Sequence, residues 1–426
     1  MLNPRTSRLL WRLLPVGLLL LAVVLFLFRL PTLIATLNTY PWDGKVDWLA
    51  ARAFLAGKNP YSPQELAAVK LDGLGHPPTT SFWFIPLALF DMQTMSKVLG
   101  TLSICMLLVQ CWLILRELEV RFPLALGLLI GVLVLYREWM RFHLHLAQIS
   151  QLISFLLVLT WVALRRRRDF LAGIPLGIAC TLKLFPGLLA IFILVSRRFR
   201  PIFIAALVYL TVAAIMTARF GPECWPQFIA SERKVVDLWI GNMRNASLYG
   251  ILIRAYSPVC VRQSGSIPEA TALASAITGV LFASVLVLWR RVPAALRARE
   301  RYRTDLPFMM LIVLGVFGNP FVYEHYYTLL IPPVLVAIAT AISAYRQQHL
   351  GRAALVFVLV AQAATVLLLC LEPWTHLNPG LLRHPTYHVS QHLWEVANWQ
   401  TFVLLLVSYA VLLWVPRRPS PAAVPT

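Results

Sequence analysis

The chain has 426 residues, of which 59% are hydrophobic and 13% are charged, and its mean hydropathy is +0.72. No soluble core could absorb this much apolar surface, so the composition excludes a soluble globular protein and indicates an all-α polytopic membrane protein. The formal net charge of +20 is explained by arginine-rich loops at one membrane face and by contacts with anionic lipids, so a nucleic-acid partner is excluded.

The first predicted element is an apolar run from Leu13 to about Leu37, preceded by Arg5, Arg8 and Arg12. The run is long enough to span a bilayer and lacks a small-residue cleavage pattern, which predicts an anchor rather than a removed signal. Further apolar segments follow near residues 95–115, 122–136, 147–164, 170–182, 186–196, 201–218, 268–289, 306–318, 327–344, 353–371 and 400–415. The sequence therefore predicts about twelve transmembrane helices.

The arginine clusters set the predicted topology. With both termini in the cytoplasm, the run Arg165 to Arg168 and the cluster Arg197, Arg198 and Arg200 both lie on the inner face, as the positive-inside rule requires. The elements predicted on the outer face are residues 38–94, 137–146, 219–267 and 372–399.

Whether residues 170–196 form one span or two decides if both arginine clusters lie on the same membrane face. A single span would place the two arginine clusters on opposite faces, so we predict two short helices broken at Lys183-Leu184-Phe185-Pro186. Lys183 would then lie roughly 21–23 Å from the inner face, at about 1.5 Å per helical residue. This is the outer third of a hydrocarbon layer of about 30 Å, where a non-helical apex needs protein or a water-filled cavity around it.

The outer stretch 38–94 begins with two acids directly after the first span. Asp43 and Asp47 each allow the interpretation of a functional carboxylate, or that of a solvated loop acid or a helix cap. A short interfacial helix is predicted from Asp47 to Ala56, ended by Gly57. Phe82 to Phe90 is too short to span and is predicted to dip into the membrane from outside.

Several short motifs in fixed order carry a resemblance to a known family. They are Asp43, Trp48, Ala50, Ala51, Ala53, Leu55, Gly57, Asn59, Pro60 and Tyr61, then His76-Pro77-Pro78, Gln148, Lys183-Leu184-Phe185-Pro186, and Asn319-Pro320 with His325. Over residues 43–333 the chain resembles glycosyltransferase family 87, membrane enzymes of the GT-C type. Two positions depart from the pattern: Ala147 stands where the family usually has Gly, and Asp47 where a Tyr is common.

The resemblance implies a bacterial inner-membrane enzyme whose active site faces the periplasm or exterior. It implies transfer of a sugar, with mannose expected, from a polyprenyl-phosphate donor to a hydroxyl of a lipid or glycan acceptor, with inversion. Nucleotide sugars are absent outside the membrane, so a lipid-linked donor suits that face. The secondary transporter is the alternative function, since transporters also place binding groups on discontinuous helices.

The resemblance also implies roles for single residues. Asp43, matched by counting back fourteen residues from Gly57, is the expected general base, with Asp47 as the alternative base or a mere helix cap. Lys183 is expected to bind the departing phosphate, and His325 to hydrogen-bond that phosphate or protonate it.

Further polar residues are expected to bind substrate. His145 and Gln148 are three residues apart at the start of the fourth span, so they would face together if this segment is helical. They would hydrogen-bond sugar or phosphate, or they are simply polar residues at the start of a helix. The remaining residues expected to bind substrate by the resemblance are Asn59, Tyr61, His76 and Asn319. No cofactor is expected. No metal is expected either, because no acidic pair demands one and the repeat His384, His388 and His392 lacks a recognisable ligand motif.

Two motifs in the outer segment 219–267 leave their interpretation open. Cys224 and Cys260 share this segment, so a disulfide is possible on an oxidising face and free thiols are the alternative. Asn245-Ala246-Ser247 fits a glycosylation sequon, which we interpret as loop chemistry unless the source is eukaryotic. Overall we expect a single transmembrane domain over residues 1–418, with 38–94 as the outer catalytic loop, and a disordered tail over 419–426.

Overall fold

The fold was analysed in a computed structural model, which describes residues 4–71, 73–242, 244–256, 266–291, 305–346, 350–368 and 385–414. Within these ranges, side chains are described for residues 12–290, 305–368 and 399–413. The regular secondary structure of the described residues is helical and includes no strand. The predicted all-α class is therefore confirmed.

Eighteen α-helices are described. They are α1 Pro4–Leu37, α2 Gly44–Leu55, α3 Pro63–Ala68, α4 Pro78–Phe84, α5 Met92–Glu117, α6 Pro123–Leu135, α7 Glu138–Leu146, α8 Ser150–Arg165, α9 Asp169–Leu182, α10 Leu188–Val195, α11 Phe199–Phe220, α12 Cys224–Trp239, α13 Leu248–Tyr256, α14 Pro268–Arg291, α15 Leu306–Phe317, α16 Ile331–Arg346, α17 Arg352–Leu368 and α18 Pro385–Trp414. Short 3₁₀ helices cover Leu87–Leu89, Phe185–Gly187 and Glu324–Leu330.

The apolar helices make this an integral membrane protein. Five helical stretches of the described residues are long and apolar enough to cross a bilayer, or six if the bent pair α6 and α7, which meet at 76°, forms one span. Six shorter apolar helices have 10 to 17 residues. Each of the twelve predicted apolar segments coincides with one of these helices, because apolar runs of this length must satisfy their backbone hydrogen bonds internally.

The break around Lys183 is present where the sequence predicts it. Helix α9 ends at Leu182, the 3₁₀ turn Phe185–Gly187 follows, and α10 begins at Leu188. The helix predicted over Asp47 to Ala56 is also present, although it begins at Gly44 and ends at Leu55. Its end is fixed by Gly57, whose φ of +73° is a left-handed conformation that favours glycine.

The chain divides into two compact units, each built from separate stretches. The first comprises residues 1–162, 170–184 and 203–232. The second comprises residues 163–169, 185–202 and 233–426.

In the first unit, small residues let helices α5 and α6 approach closely. A Cβ on Gly127 would lie 2.8 Å from the backbone of Trp112, and one on Gly131 would lie 2.7 Å from Leu108. Small residues at such positions are the usual basis of close helix packing in membranes, where lipid gives no hydrophobic drive for association.

The stretch 38–94 contributes to a separate apolar core of the first unit. Ala50, Tyr61 and Leu74 from the stretch 38–94 pack with residues 212–228 of α11 and α12. Arg219, near the end of α11, donates hydrogen bonds to the carbonyls of Phe54 and Leu55 at the C-terminus of α2. The outer stretch is thus attached to α11 and α12 by both packing and hydrogen bonds.

The second unit is centred on α15. All residues of this helix are buried, as expected for a helix that is apolar on every face. Two ion pairs lie in the same unit: Arg165 with Asp305 at 3.3 Å, and Arg198 with Asp169. Two members of the predicted cytoplasmic arginine clusters are therefore held by protein carboxylates.

Candidate active site

Asp43 lies in the short connection between α1 and α2, immediately before Gly44. It occupies the cap position of α2 but makes no side-chain capping hydrogen bond. Instead, its Oδ2 accepts a hydrogen bond of 2.5 Å from Nε2 of Gln148. Asp43 keeps partial exposure to solvent. The interpretation of Asp43 as an ordinary helix cap is therefore wrong, and its carboxylate is available for other chemistry.

A close backbone contact brings Gln148 to Asp43. A Cβ added to Gly44 would lie 2.7 Å from Cβ of Ala147 and 3.1 Å from its carbonyl oxygen, so the two segments touch. Ala147 itself has φ +52° and ψ +50°, a left-handed conformation that favours glycine. The close packing that the family's Gly would allow is thus retained here, although Ala147 adopts a backbone conformation that is unfavourable for alanine.

The same turn corrects the expectation for His145 and Gln148. Helix α7 ends at Leu146 and α8 begins at Ser150, so the left-handed Ala147 separates the two residues and they do not share a helix. Nδ1 of His145 lies 2.7 Å from the hydroxyl of Thr39, whereas Gln148 contacts Asp43. The two side chains therefore have different partners.

The electrostatic surroundings of Asp43 suit a proton acceptor. Burial raises the pKa of this carboxyl above its usual range, and the nearby carboxylate of Asp47 acts in the same direction. The hydrogen bond from Gln148 and the charges of His76 and Lys183 lower the pKa and so oppose burial. A carboxylate with a raised pKa is a stronger base than an ordinary surface aspartate.

Asp47 is neither a solvated acid nor a helix cap, so these two alternative interpretations of the residue are wrong. It is buried, and its two carboxylate oxygens lie 2.8 Å and 3.0 Å from Nδ1 of His76. The backbone of His76 is fixed in turn by the hydroxyl of Tyr61, which donates a 2.6 Å hydrogen bond to the His76 carbonyl. The motif His76-Pro77-Pro78 therefore places an imidazole against the second acid.

Lys183 directly follows α9 and is buried. The last carbonyls of α9 are satisfied by α4: Thr79 donates to the Thr181 carbonyl at 2.7 Å, and Thr80 to the Leu182 carbonyl at 2.9 Å. These two threonines were missed by the sequence analysis. The sequence feature that could have identified them is their position directly after the Pro-Pro motif, at the start of a helix. Lys183 and Asp43 belong to the same compact unit, and the positive charge of Lys183 lowers the pKa of Asp43.

Asn59 and Tyr61 hold the backbone of the outer stretch. The Asn59 amide donates to Gln227 of α12 at 2.8 Å, and its oxygen accepts from the Tyr61 N–H at 3.0 Å. Ser231 of α12 bonds to both the N–H and the carbonyl of Leu74. No local pattern indicates these α12 partners, since they are more than 150 residues away in the chain.

The second unit contains His325 and Asn319. His325 is buried in the 3₁₀ helix Glu324–Leu330, where its ring stacks parallel to Tyr323 at 6.2 Å. Glu324 points to another partner, as expected, and accepts a 2.9 Å hydrogen bond from Nε of Arg244. The side-chain oxygen of Asn319 accepts from the Phe321 N–H at 3.0 Å, which closes the turn before His325.

The sequon asparagine is a structural residue. Asn245 is fully buried, donates to the carbonyls of Ile240 and Pro320, and accepts from the N–H groups of Ser247 and Val322. This network joins the segment 240–247 to the turn 319–322. The interpretation of the sequon as loop chemistry is therefore supported.

Among the residues that the structure describes, no group of three His, Cys, Asp or Glu side chains is placed to hold a metal ion. Three features named from the sequence lie outside the described side chains: Cys260, the repeat of His384, His388 and His392, and the tail 419–426. Cys224 is described and is buried in the apolar core that the stretch 38–94 shares with α11 and α12.

Comparison with known proteins agrees with this arrangement. The family described as Glycosyltransferase family 87 matches residues 75–317, more than half of the chain. A similar protein of Mycolicibacterium smegmatis (strain ATCC 700084 / mc(2)155), a polyprenol-phosphate-mannose-dependent alpha-(1-2)-phosphatidylinositol mannoside mannosyltransferase, is 23% identical over 341 residues. That alignment covers 74% of this chain and 73% of the relative. The chain thus belongs to glycosyltransferase family 87 and is a membrane glycosyltransferase rather than a transporter.

Proposed function

We propose that the protein transfers mannose from a polyprenyl-phosphate-mannose donor to a hydroxyl group of a lipid or glycan acceptor. The dependence of the mycobacterial relative on polyprenol-phosphate-mannose supports this donor, and the phosphatidylinositol mannoside in that relative's name supports a glycolipid acceptor. The predicted topology supports a reaction on the non-cytoplasmic face of a bacterial cell membrane, with about twelve spans in one GT-C-like transmembrane domain over residues 1–418 and both termini inside.

The observation that carries the proposal is the Asp43 carboxylate, held at 2.5 Å by Gln148, in the same compact unit as the buried Lys183. Glycosyl transfer from a phosphate needs a proton acceptor for the nucleophile and a positive charge for the leaving group. A carboxylate with a raised pKa and a buried ammonium supply these two functions.

In the proposed reaction the acceptor hydroxyl gives its proton to Asp43 as its oxygen attacks the anomeric carbon. The new bond joins the acceptor oxygen to that carbon, and the bond from the carbon to the phosphate oxygen breaks. The electron pair leaves with polyprenyl phosphate, whose additional negative charge Lys183 stabilises. One displacement of this kind inverts the anomeric configuration.

The other predicted site residues fall into two groups. We assign His325 to the leaving phosphate as hydrogen-bond donor or acid, and His145 and Gln148 to the surroundings of Asp43. Asn59, Tyr61 and Asn319 are assigned to positioning instead of direct substrate binding, because their polar atoms are engaged with the backbone or with Gln227.

The test uses the purified full-length protein in lipid nanodiscs with polyprenyl-phosphate-[¹⁴C]mannose and phosphatidylinositol mannoside acceptors. Asp43→Asn is expected to abolish transfer of label while leaving the unfolding temperature unimpaired. Glu65→Gln is the matched control, because Glu65 lies in the same outer stretch and pairs with Lys58 at 3.0 Å. Transfer at the wild-type rate by Asp43→Asn would remove Asp43 from the mechanism, and loss confined to Asp47→Asn would make Asp47 the base.

A further inference from the structure

His76 lies against Asp47, the acid that follows the proposed base by four residues. We propose that His76, held by Asp47, is an electrostatic positioning residue whose imidazolium form keeps the Asp43 carboxylate ready to accept a proton. This inference rests on the proposed function, since it concerns the same base. It assigns His76 to the base, whereas the family resemblance implied only substrate binding.

The contact between His76 and Asp47 fixes the imidazole. Both carboxylate oxygens of Asp47 lie within 3.0 Å of the same ring nitrogen, Nδ1, which therefore carries a proton and donates it to the carboxylate. Asp47 follows Asp43 by four residues, about one helical turn, and so projects from the same side of α2. An imidazole held by Asp47 is consequently kept on the Asp43 side of the helix.

The backbone of His76 has little freedom to move. The Tyr61 hydroxyl binds its carbonyl at 2.6 Å, Pro77 has a φ of −63°, and Pro78 begins α4. Threonines of α4 bind the end of α9 next to Lys183. A charge fixed in this manner stabilises a carboxylate without any rearrangement at the moment of reaction.

The groups that face His76 are mostly acidic. They are Asp43 and Asp47 at the start of α2, the phenol of Tyr61, and Glu232 of α12, while Lys183 faces Asp43. Burial raises the pKa of Glu232, and His76 lowers it, as it lowers the pKa of Asp43. One imidazole thus acts on three carboxylates, two of which would otherwise be driven toward the neutral form.

Lys183 alone would not keep the Asp43 carboxylate ionised during turnover. When the donor phosphate binds Lys183, its negative charge offsets the ammonium and weakens the effect of Lys183 on Asp43. In its imidazolium form, His76 then still opposes the effects of burial and of the like charge of Asp47 on Asp43. The step in which Asp43 takes a proton therefore depends on the charge of His76.

The test compares pH profiles of kcat/KM for mannose transfer by the full-length enzyme. His76→Gln removes the charge, so the pKa of Asp43 rises and the acid limb is expected to move to higher pH. For each pH unit by which the acid limb moves, the loss of kcat/KM should be about tenfold larger at acidic than at alkaline pH. His76→Lys keeps a positive charge and should keep the acid limb near that of the wild type. Glu65→Gln is again the control, and His76→Asn is a second neutral variant.

The outcomes separate this inference from the proposed function. A merely structural role of His76 would lower the rate equally at every pH, and an unmoved acid limb in both neutral variants would overturn the proposal. A movement in His76→Lys as large as that in His76→Gln would also overturn it. Activity in Asp43→Asn would instead reject the proposed function, whatever the His76 variants show.

Discussion

The side-chain amide of Gln148 donates a hydrogen bond of 2.5 Å to the carboxylate of Asp43, although the two residues are 105 positions apart. The amide oxygen of Gln148 is buried and has no hydrogen-bond partner among the described residues. Only the donor end of this amide is therefore used within the described part of the protein, and it is used on the proposed base. The contact connects the start of α2 to the turn between α7 and α8.

Replacing Gln148 tests the value of this bond. In Gln148→Ala the carboxylate loses a donor that lowers its pKa, so the acid limb of the rate profile should move to higher pH. A hydrogen bond to a charged group contributes about 1.5–3 kcal/mol, which predicts a loss of about tenfold or more in kcat/KM. The control is Gln93→Ala, because Gln93 bonds to the carbonyl of Leu37 and not to Asp43. Equal losses in both variants would contradict the prediction.

The raised pKa of Asp43 also predicts a trade-off between stability and activity. Above the folded pKa the carboxyl is charged in both states, and burial penalises that charge only in the folded protein. Asp43→Asn removes the penalty, so it should unfold at an equal or higher temperature than the wild type at neutral pH. Because the carboxyl is neutral in both states below its unfolded pKa, the difference should shrink as the pH falls toward about 4.

Asp91 is a control for which we expect the opposite change in unfolding temperature. Hydrogen bonds from the Thr94 side chain and N–H lower the pKa of Asp91, which caps α5. Its ionised form therefore stabilises the fold at neutral pH, and this stabilisation is lost as the pH falls through its folded pKa. Asp91→Asn should lower the unfolding temperature at neutral pH, and a lower value for Asp43→Asn as well would contradict the trade-off.

The contact between Gly44 and Ala147 predicts a coupled pair of variants. Gly44→Ala places a Cβ 2.7 Å from that of Ala147, so it should displace Asp43, reduce activity and cost about 1–3 kcal/mol of stability. Ala147→Gly removes the opposing Cβ and relieves a left-handed alanine, so it should be neutral or mildly stabilising. Together they should recover part of the loss, with the Ala147 carbonyl at 3.1 Å limiting the recovery.

Thermal unfolding and transfer rates of the four proteins in this cycle measure the coupling. Gly17→Ala is the control, because a Cβ at Gly17 would meet nothing within 4 Å. Strict additivity of the two substitutions would show that the steric contact between Gly44 and Ala147 does not determine the position of Asp43.

The threonines of α4 predict an effect on donor binding. Thr79→Val and Thr80→Val keep the side-chain shape but remove hydroxyls that donate to the buried carbonyls of Thr181 and Leu182, at a cost of about 1–3 kcal/mol each. Because these carbonyls directly precede Lys183, its ammonium should shift and bind the phosphate less well. We expect a higher KM for the polyprenyl-phosphate donor and weaker inhibition by free polyprenyl phosphate. Thr36→Val, whose hydroxyl bonds within α1, should leave both unchanged.

Much of the fold and part of the site could be predicted from local sequence. Apolar runs predicted the positions of the helices, and Pro186 between two arginine clusters predicted the break that follows Leu182. Ordered motifs around Asp43 and Lys183 indicated the family that the comparisons confirm. These inferences succeed because helix formation in a membrane depends on the chain's own hydropathy and on backbone hydrogen bonds within each segment.

The partners of the polar side chains were decided only by the tertiary structure. Asp47 allowed three interpretations in the sequence, and the structure pairs it with His76, 29 residues away. The spacing of His145 and Gln148 predicted a shared helical face, but a left-handed Ala147 gave them separate partners. Sequence spacing describes neighbours along one helix, whereas a buried polar group takes its partner from whichever segment packs against it. Hydropathy and motif order therefore determined the helices and the family, and packing of distant segments determined which side chains meet at the site.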